Sequence, residues 1–268
     1  MPMSVVKRNN VQVLGKPDAA ETLVFAHGFG TDQTAWQDVA EAFADKYKIV
    51  LFDYVGANEK TTPFFNTRKY KHLQAYADDI LDVLEELALR QVTLIGHSVG
   101  GMTGALAAIQ EPSWFSKLIL VNASPRYVND NDYQGGFDQQ TLDELFAQMQ
   151  RDFHAWAGGF APRIMANADR PHLANGFIQT ISAMRPDVAL AIARVIFQSD
   201  HRADIAQLQH PTLLIQGTHD LAVPHAVGHY MENHMPNAWL TFIDAEGHLP
   251  HISHADKVVQ AIRPFLFS

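Results

Sequence analysis

Cysteine is absent from all 268 residues. That excludes disulfides, a thiol nucleophile and any Cys-based metal site, and it fits an expected cytoplasmic address. Basic residues are in deficit. Twenty Lys and Arg stand against 29 Asp and Glu, for a net charge of −9, and there is no basic run. Nucleic acid and anionic membrane surfaces are therefore not expected partners. Long apolar runs are missing too: none reaches the ~18–20 residues of a membrane span. The N-terminal stretch 1–12 carries Lys7 and Arg8 but no long apolar run, so it does not read as a signal peptide. Repeats and low-complexity tracts are also lacking. The hydrophobic content of 47% suffices for one large α/β domain or for one with an inserted subdomain.

The most informative stretch is Val92-Thr93-Leu94-Ile95-Gly96-His97-Ser98-Val99-Gly100-Gly101. Val92 to Ile95 reads as a buried strand, the next five residues spell Gly-x-Ser-x-Gly, and Gly101 to Gln110 reads as an apolar helix. A serine on a sharp turn between strand and helix is exposed over the end of a sheet. Gly96 and Gly100 are expected there because a Cβ would strike the neighbouring strand or helix. The helix that starts at Ser98 turns its free N–H groups toward any negative charge forming nearby.

Around this stretch, strands alternate with helices. The pattern predicts a weak edge-hairpin strand over 4–14 and strands at 22–26, 48–52, 92–95 and 117–121. Helices are expected near 35–44 and 72–87. The rhythm changes between Arg126 and about Gln209, where four helical patterns (137–150, 151–167, 172–184, 187–199) appear, with Pro171 and Pro186 at helix starts. Strands resume at 211–217 and 238–243, and a helix closes the chain from Ala255 to Phe267. The expected architecture is α/β: residues 1–125 and 210–268 form a mostly parallel sheet flanked by helices. Residues 126–209 form a helical lid inserted in it, over the strand ends where open parallel sheets bind ligands.

A serine hydroxyl needs a base within hydrogen-bond reach, and the base needs an orienting carboxylate. In the order Ser, Asp, His that suits this motif, Asp220 follows the strand at 211–217 and His248 follows the last strand. Ser98, Asp220 and His248 are the expected catalytic residues. The oxyanion is assigned to the N–H of Val99 and, from the loop His27-Gly28-Phe29-Gly30, the N–H of Phe29. Competing carboxylates read differently: Asp53 as a turn-former, Asp200 as a helix cap, and Asp244 as too near His248 in sequence to sit behind it. His97 is expected to point away from substrate. His251 and His254 read as surface or packing residues, and His225 and His229 lack a third ligand, so no metal and no cofactor is expected. Seven aromatics of the lid (Phe137, Phe146, Phe153, Trp156, Phe160, Phe177 and Phe197) predict an apolar pocket for small esters or lactones rather than charged substrates.

The chain resembles the RsbQ-type α/β-hydrolases, bacterial relatives of the plant strigolactone and karrikin receptors. The matching stretches run over nearly its whole length. They include His27-Gly28-Phe29-Gly30-Thr31-Asp32-Gln33, Leu51-Phe52-Asp53-Tyr54-Val55-Gly56, Gly96-His97-Ser98-Val99-Gly100, Ser124-Pro125-Arg126-Tyr127, Gly135-Gly136-Phe137, Ser199-Asp200-His201-Arg202 and Gly247-His248-Leu249-Pro250-His251. The resemblance implies a V-shaped four-helix lid, a Ser-His-Asp triad and slow hydrolysis of butenolide-like or ester compounds. It also implies a pocket lined by Phe29, Tyr127, Trp156, Phe160 and Phe197. The bacterial member regulates a stress sigma-factor pathway with a PAS-domain phosphatase, so a signalling protein partner at the lid is a second expectation. Two readings stay open, a working esterase or lactonase and a ligand sensor whose hydrolysis is incidental. Perhydrolase and carbon–carbon bond hydrolase chemistry use the same triad and remain open as well. Haloalkane dehalogenase and epoxide hydrolase chemistry require an aspartate where Ser98 stands.

Overall fold

A computed structural model describes residues 4–267. Seven strands form one sheet: β1 (Gln12–Gly15), β2 (Thr22–Ala26), β3 (Lys48–Leu51), β4 (Val92–His97), β5 (Phe115–Val121), β6 (Thr212–His219) and β7 (Ala238–Glu246). Twelve α-helices accompany them among the described residues: α1 (Val5–Arg8), α2 (Gln37–Glu41), α3 (Gln74–Glu86), α4 (Val99–Gln110), α5 (Gln139–Arg151), α6 (Phe153–Met165), α7 (Pro171–Ser182), α8 (Pro186–Phe197), α9 (Arg202–Ile205), α10 (His225–His234), α11 (Pro250–Ser253) and α12 (Ala255–Leu266). None is long and apolar enough to cross a membrane.

The sheet order is β1-β3-β2-β4-β5-β6-β7, with β1 antiparallel to β3 and every other pair parallel. The central strands are apolar throughout because both faces are covered. Along β2, Val24 and Ala26 join the core under α3 and α4, whereas Leu23 and Phe25 join the core under α2 and α12. Along β5, Leu118 and Leu120 face the first side and Ile119 and Val121 the second. From β2 the chain moves outward to β3, then returns past β2 to β4. The winding therefore reverses between β2 and β4. Their carboxyl ends diverge there and leave the crevice in which open α/β sheets bind ligands.

Helices α5–α8 lie in the chain between β5 and β6, with α5 packed on α8 and α6 on α7. The edge strand expected over 4–14 is confined to its end. Ser4 and the Val5 amide both donate to the Glu86 carboxylate of α3 (2.5 and 2.7 Å), which caps a helical turn at Val5–Arg8 instead. The helix expected at 35–44 is split into a 3₁₀ turn, Gln33–Trp36, started by the Asp32 side chain on the Thr34 amide, and the short α2. Helices α9 and α11 lie outside the expected set.

This layering predicts where truncation hurts. Leu94 is fully buried on the central strand, and Leu14 is 46% exposed on the edge strand. Leu94→Ala is expected to lower the unfolding free energy by about 2–5 kcal/mol in urea titration, and Leu14→Ala by under about 0.5 kcal/mol. Equal losses would contradict the layering.

Candidate active site

Ser98 sits between β4 and α4 with φ 53° and ψ −123°, a left-handed conformation that a side chain rarely adopts. The turn is held on three sides. The Ser98 amide donates to the Val121 carbonyl of β5 at 2.8 Å. A Cβ on Gly96 would meet the Gly100 carbonyl oxygen and the Gly101 nitrogen at 2.5 Å. A Cβ on Gly100 would meet the carbonyl oxygens of Ala26 and His27 at 2.4 and 2.5 Å. All four contacts are backbone, so neither position can yield to a side chain.

The three residues singled out from the sequence come together. His248 Nε2 lies 2.9 Å from Ser98 Oγ, and His248 Nδ1 lies 2.7 Å from Asp220 Oδ2. The other carboxylate oxygen, Asp220 Oδ1, accepts from the amides of Ala222 and Val223 (2.8 and 3.2 Å), which fixes its direction. The Asp220 side chain is fully buried and that of His248 is 10% exposed. A carboxylate on Nδ1 holds that nitrogen as the donor and leaves Nε2 to accept from the serine hydroxyl. The amides of Phe29 and Val99 donate to no protein acceptor among the described residues. Tyr127 was expected only as a pocket wall, yet its hydroxyl lies 3.1 Å from Ser98 Oγ. Burial holds that phenol far above its ordinary range, so it stays a neutral donor.

The backbone of His248 is held as firmly as its ring. Its carbonyl accepts from His97 Nε2 (2.8 Å) and Asn122 Nδ2 (3.0 Å), and its amide donates to the Ile164 carbonyl of α6 (2.8 Å). Gly247 has φ +86°, and a Cβ there would meet the Met165 carbonyl oxygen at 2.1 Å. The end of α6 thus rests directly on the histidine loop. Asn122 also accepts from the Gly217 amide of β6 at 3.0 Å. Nothing in the sequence marked Asn122 or Ile164, because the Asn122 side chain and the Ile164 carbonyl both act on backbone groups far away in the chain.

The competing residues are placed as well. His97 turns its Nε2 to the His248 carbonyl and stacks on the ring of His251. Asp53 is buried and accepts from the Gln33 amide (2.9 Å) and from the side chains of Asn10 (2.6 Å) and Asn58 (2.9 Å), which ties three segments together. Asp244 pairs with Lys257. Asp200 is not the helix cap expected, since Gln198 caps the end of α8 and His201 the start of α9; it pairs with Arg126 and Arg202, and its carboxyl is held well below the usual range by the Arg202 hydrogen bonds. His225 reaches the Gly217 carbonyl and His229 lies near Glu232. No group of three His, Cys, Asp or Glu able to hold a metal ion occurs among the described residues.

The chamber over Ser98 is lined by Phe29, Tyr127, Phe160 and Phe197, and also by Phe137 and Phe177. Trp156 stands further out. It stacks between Phe153 and Phe160 and faces an outer cleft between α5 and α6.

A match to the α/β-hydrolase fold family covers residues 21–255. The chain belongs to that family. It is 43% identical to a strigolactone esterase of Pisum sativum over 246 residues, which is 91% of each chain. It is 39% identical to a karrikin insensitive 2 receptor of Petunia hybrida over 259 residues, covering 96% of this chain and 95% of the receptor. The solved structure of a hydrolase from Oleispira antarctica superposes with a TM-score of 0.94 at 32% identity, covering 98% of this chain and 96% of that one. The chain is thus a relative of the plant receptor hydrolases and a hydrolase of the esterase type.

Behind His248, the rings of His97 and His251 stack at 4.2 Å, and Trp36 covers His251 at 4.4 Å. His251 is completely buried and is a packing residue, and neither ring nitrogen has a partner among the described residues. Burial lowers its pKa to about 3. The unfolded chain takes up a proton near pH 6.5 that the folded chain refuses until far lower pH, so this residue costs stability as pH falls below 6.5. His251→Phe, which keeps the stack, is expected to gain about 1 kcal/mol over the wild type at pH 5.5 relative to pH 7.5. Urea midpoints at the two pH values measure this. An equal difference at both would show that the folded chain binds this proton as readily as the unfolded one and would contradict the lowered pKa.

Proposed function

We propose that this protein hydrolyses small apolar carboxylic esters or lactones through an acyl-enzyme on Ser98. The observation that carries the reading is the continuous chain Ser98 Oγ, His248 Nε2, His248 Nδ1, Asp220 Oδ2, with links of 2.9 and 2.7 Å. In this reading Ser98 Oγ bonds to the carbonyl carbon while its proton passes to His248 Nε2. The amides of Phe29 and Val99 hold the oxyanion. His248 then gives its proton to the leaving alkoxide as the C–O bond breaks. Water repeats the sequence on the acyl-serine and releases the acid. Asp220 keeps the tautomer and stabilises the imidazolium. The apolar walls Phe29, Tyr127, Phe160 and Phe197, with Trp156 at the outer cleft, select neutral substrates. Residues 126–209 serve as the lid of a core made of 1–125 and 210–268.

Steady-state kinetics with p-nitrophenyl acetate test this. Ser98→Ala is expected to abolish turnover above the solvent rate, and Asp220→Asn to lower kcat by about 10⁴-fold. A Ser98→Ala protein that kept wild-type turnover would overturn the reading.

A second reading is favoured by the receptor named among the relatives: the same site senses a small lactone, and the lid passes its occupancy to a signalling protein. Hydrogen exchange over residues 126–209 is then expected to change when a butenolide is added. Identical protection with and without it would leave only the esterase reading.

A further inference from the structure

A second chamber lies on the far side of Phe29 from the Ser98 chamber, and Phe29 and Ile196 form walls of both. It starts at Phe29 and Val99, whose amides are assigned above to the oxyanion, and runs down between α3, α4 and α8. Val55, Leu73, Met184 and Ile192 make it apolar. It is small, with room for about two water-sized groups, enough for a short unbranched chain.

One polar group in this chamber is unaccounted for. Tyr76 lines it and is 4% exposed, yet its hydroxyl has no hydrogen-bond partner among the described residues. An unpaired buried hydroxyl costs on the order of 1–3 kcal/mol, so its persistence calls for a partner from outside the protein. The neighbouring hydroxyls are already committed. Thr103 Oγ1 donates back along α4 to the Val99 or Gly100 carbonyl (3.1 and 3.2 Å) and receives the Tyr54 hydroxyl. Besides the two amides assigned to the oxyanion, Tyr76 therefore offers the one free side-chain donor among the described residues lining this slot. Burial holds its proton in place.

We infer that this chamber is an acyl-chain subsite, in which the Tyr76 hydroxyl donates to an ether or carbonyl oxygen on an unbranched acyl chain. The inference rests on the serine-esterase reading and deepens it. The leaving alcohol takes the aromatic chamber beside His248. The acyl substituent passes Phe29 and is selected by length and by the placement of one acceptor oxygen. A site with one buried donor discriminates against chains that lack the acceptor, because binding them leaves the donor unpaired.

The experiment uses p-nitrophenyl acetate, hexanoate, and two oxa-hexanoates with the ether oxygen in place of carbon 4 or carbon 5. For each protein, kcat/KM on every longer ester is divided by its own value on acetate. The wild type is expected to favour one oxa ester over hexanoate by roughly three- to tenfold. Tyr76→Phe, which removes only the hydroxyl, brings that preference to within about twofold of unity. Ile192→Trp, which fills the slot, lowers the ratio for all three longer esters. A wild type with no oxa preference, a Tyr76→Phe protein that keeps it, or an Ile192→Trp protein with an unmoved chain-length profile overturns the inference while leaving the esterase reading intact. Absence of any turnover of acetate by the wild type overturns that reading, and the subsite falls with it.

Discussion

Everything at the site depends on one strained residue. Ser98 holds a left-handed backbone between a parallel strand and a helix, and the conformation survives because the surroundings leave no relaxed alternative. Gly96 faces the first turn of α4 and Gly100 faces the end of β2, each within 2.5 Å of backbone atoms where a Cβ would stand. Strain of this kind costs on the order of 1–3 kcal/mol and is kept only where neighbouring structure over-determines it. The return is position. The hydroxyl projects over the strand ends at the point where the sheet reverses its winding, beside the free amide of Val99.

The second requirement is a histidine at the correct height over that hydroxyl, and the fold meets it by clamping backbone. The His248 carbonyl is gripped by His97 and Asn122, and the amide is gripped by the end of α6. His97 acts in this grip as a neutral donor. Its burial, and the proximity of His251 and His248, push its pKa well below the ordinary value. The helices between β5 and β6 therefore do more than wall the chamber: one of them holds the loop that carries the base. The chamber wall and the His248 loop are joined through Ile164, Met165 and Gly247.

Much of this was legible in the sequence because it is written in local patterns. Uninterrupted apolar runs marked the doubly covered strands. The glycines around Ser98 marked the turn, and the positions of Asp220 and His248 just past strands placed them at one sheet edge. Less legible was whatever depends on distant partners. Val5–Arg8 is helical because Glu86, some eighty residues away, caps it, and the alternation of that stretch gave no hint of this. The loop-to-helix setting of His251 left surface and packing roles open, and only its place under Trp36 decides for packing. Tyr76 lies in the helix expected over 72–87 and nothing in the sequence set it apart; its unpaired hydroxyl emerges only where α3 packs against α4. Trp156 lies one ring further from Ser98 than a motif match suggests, because Phe160 stands between them.

The central claim is that Ser98 becomes covalently acylated. Intact-protein mass spectrometry after acid quenching of an incubation with a small activated ester or butenolide tests it most directly, with wild type and Ser98→Ala in parallel. The account predicts a mass increase equal to the acyl group on the wild type alone, mapped to the peptide containing Ser98. An adduct of equal yield on both proteins, or ester turnover by the wild type with no adduct at any quench time, would contradict it.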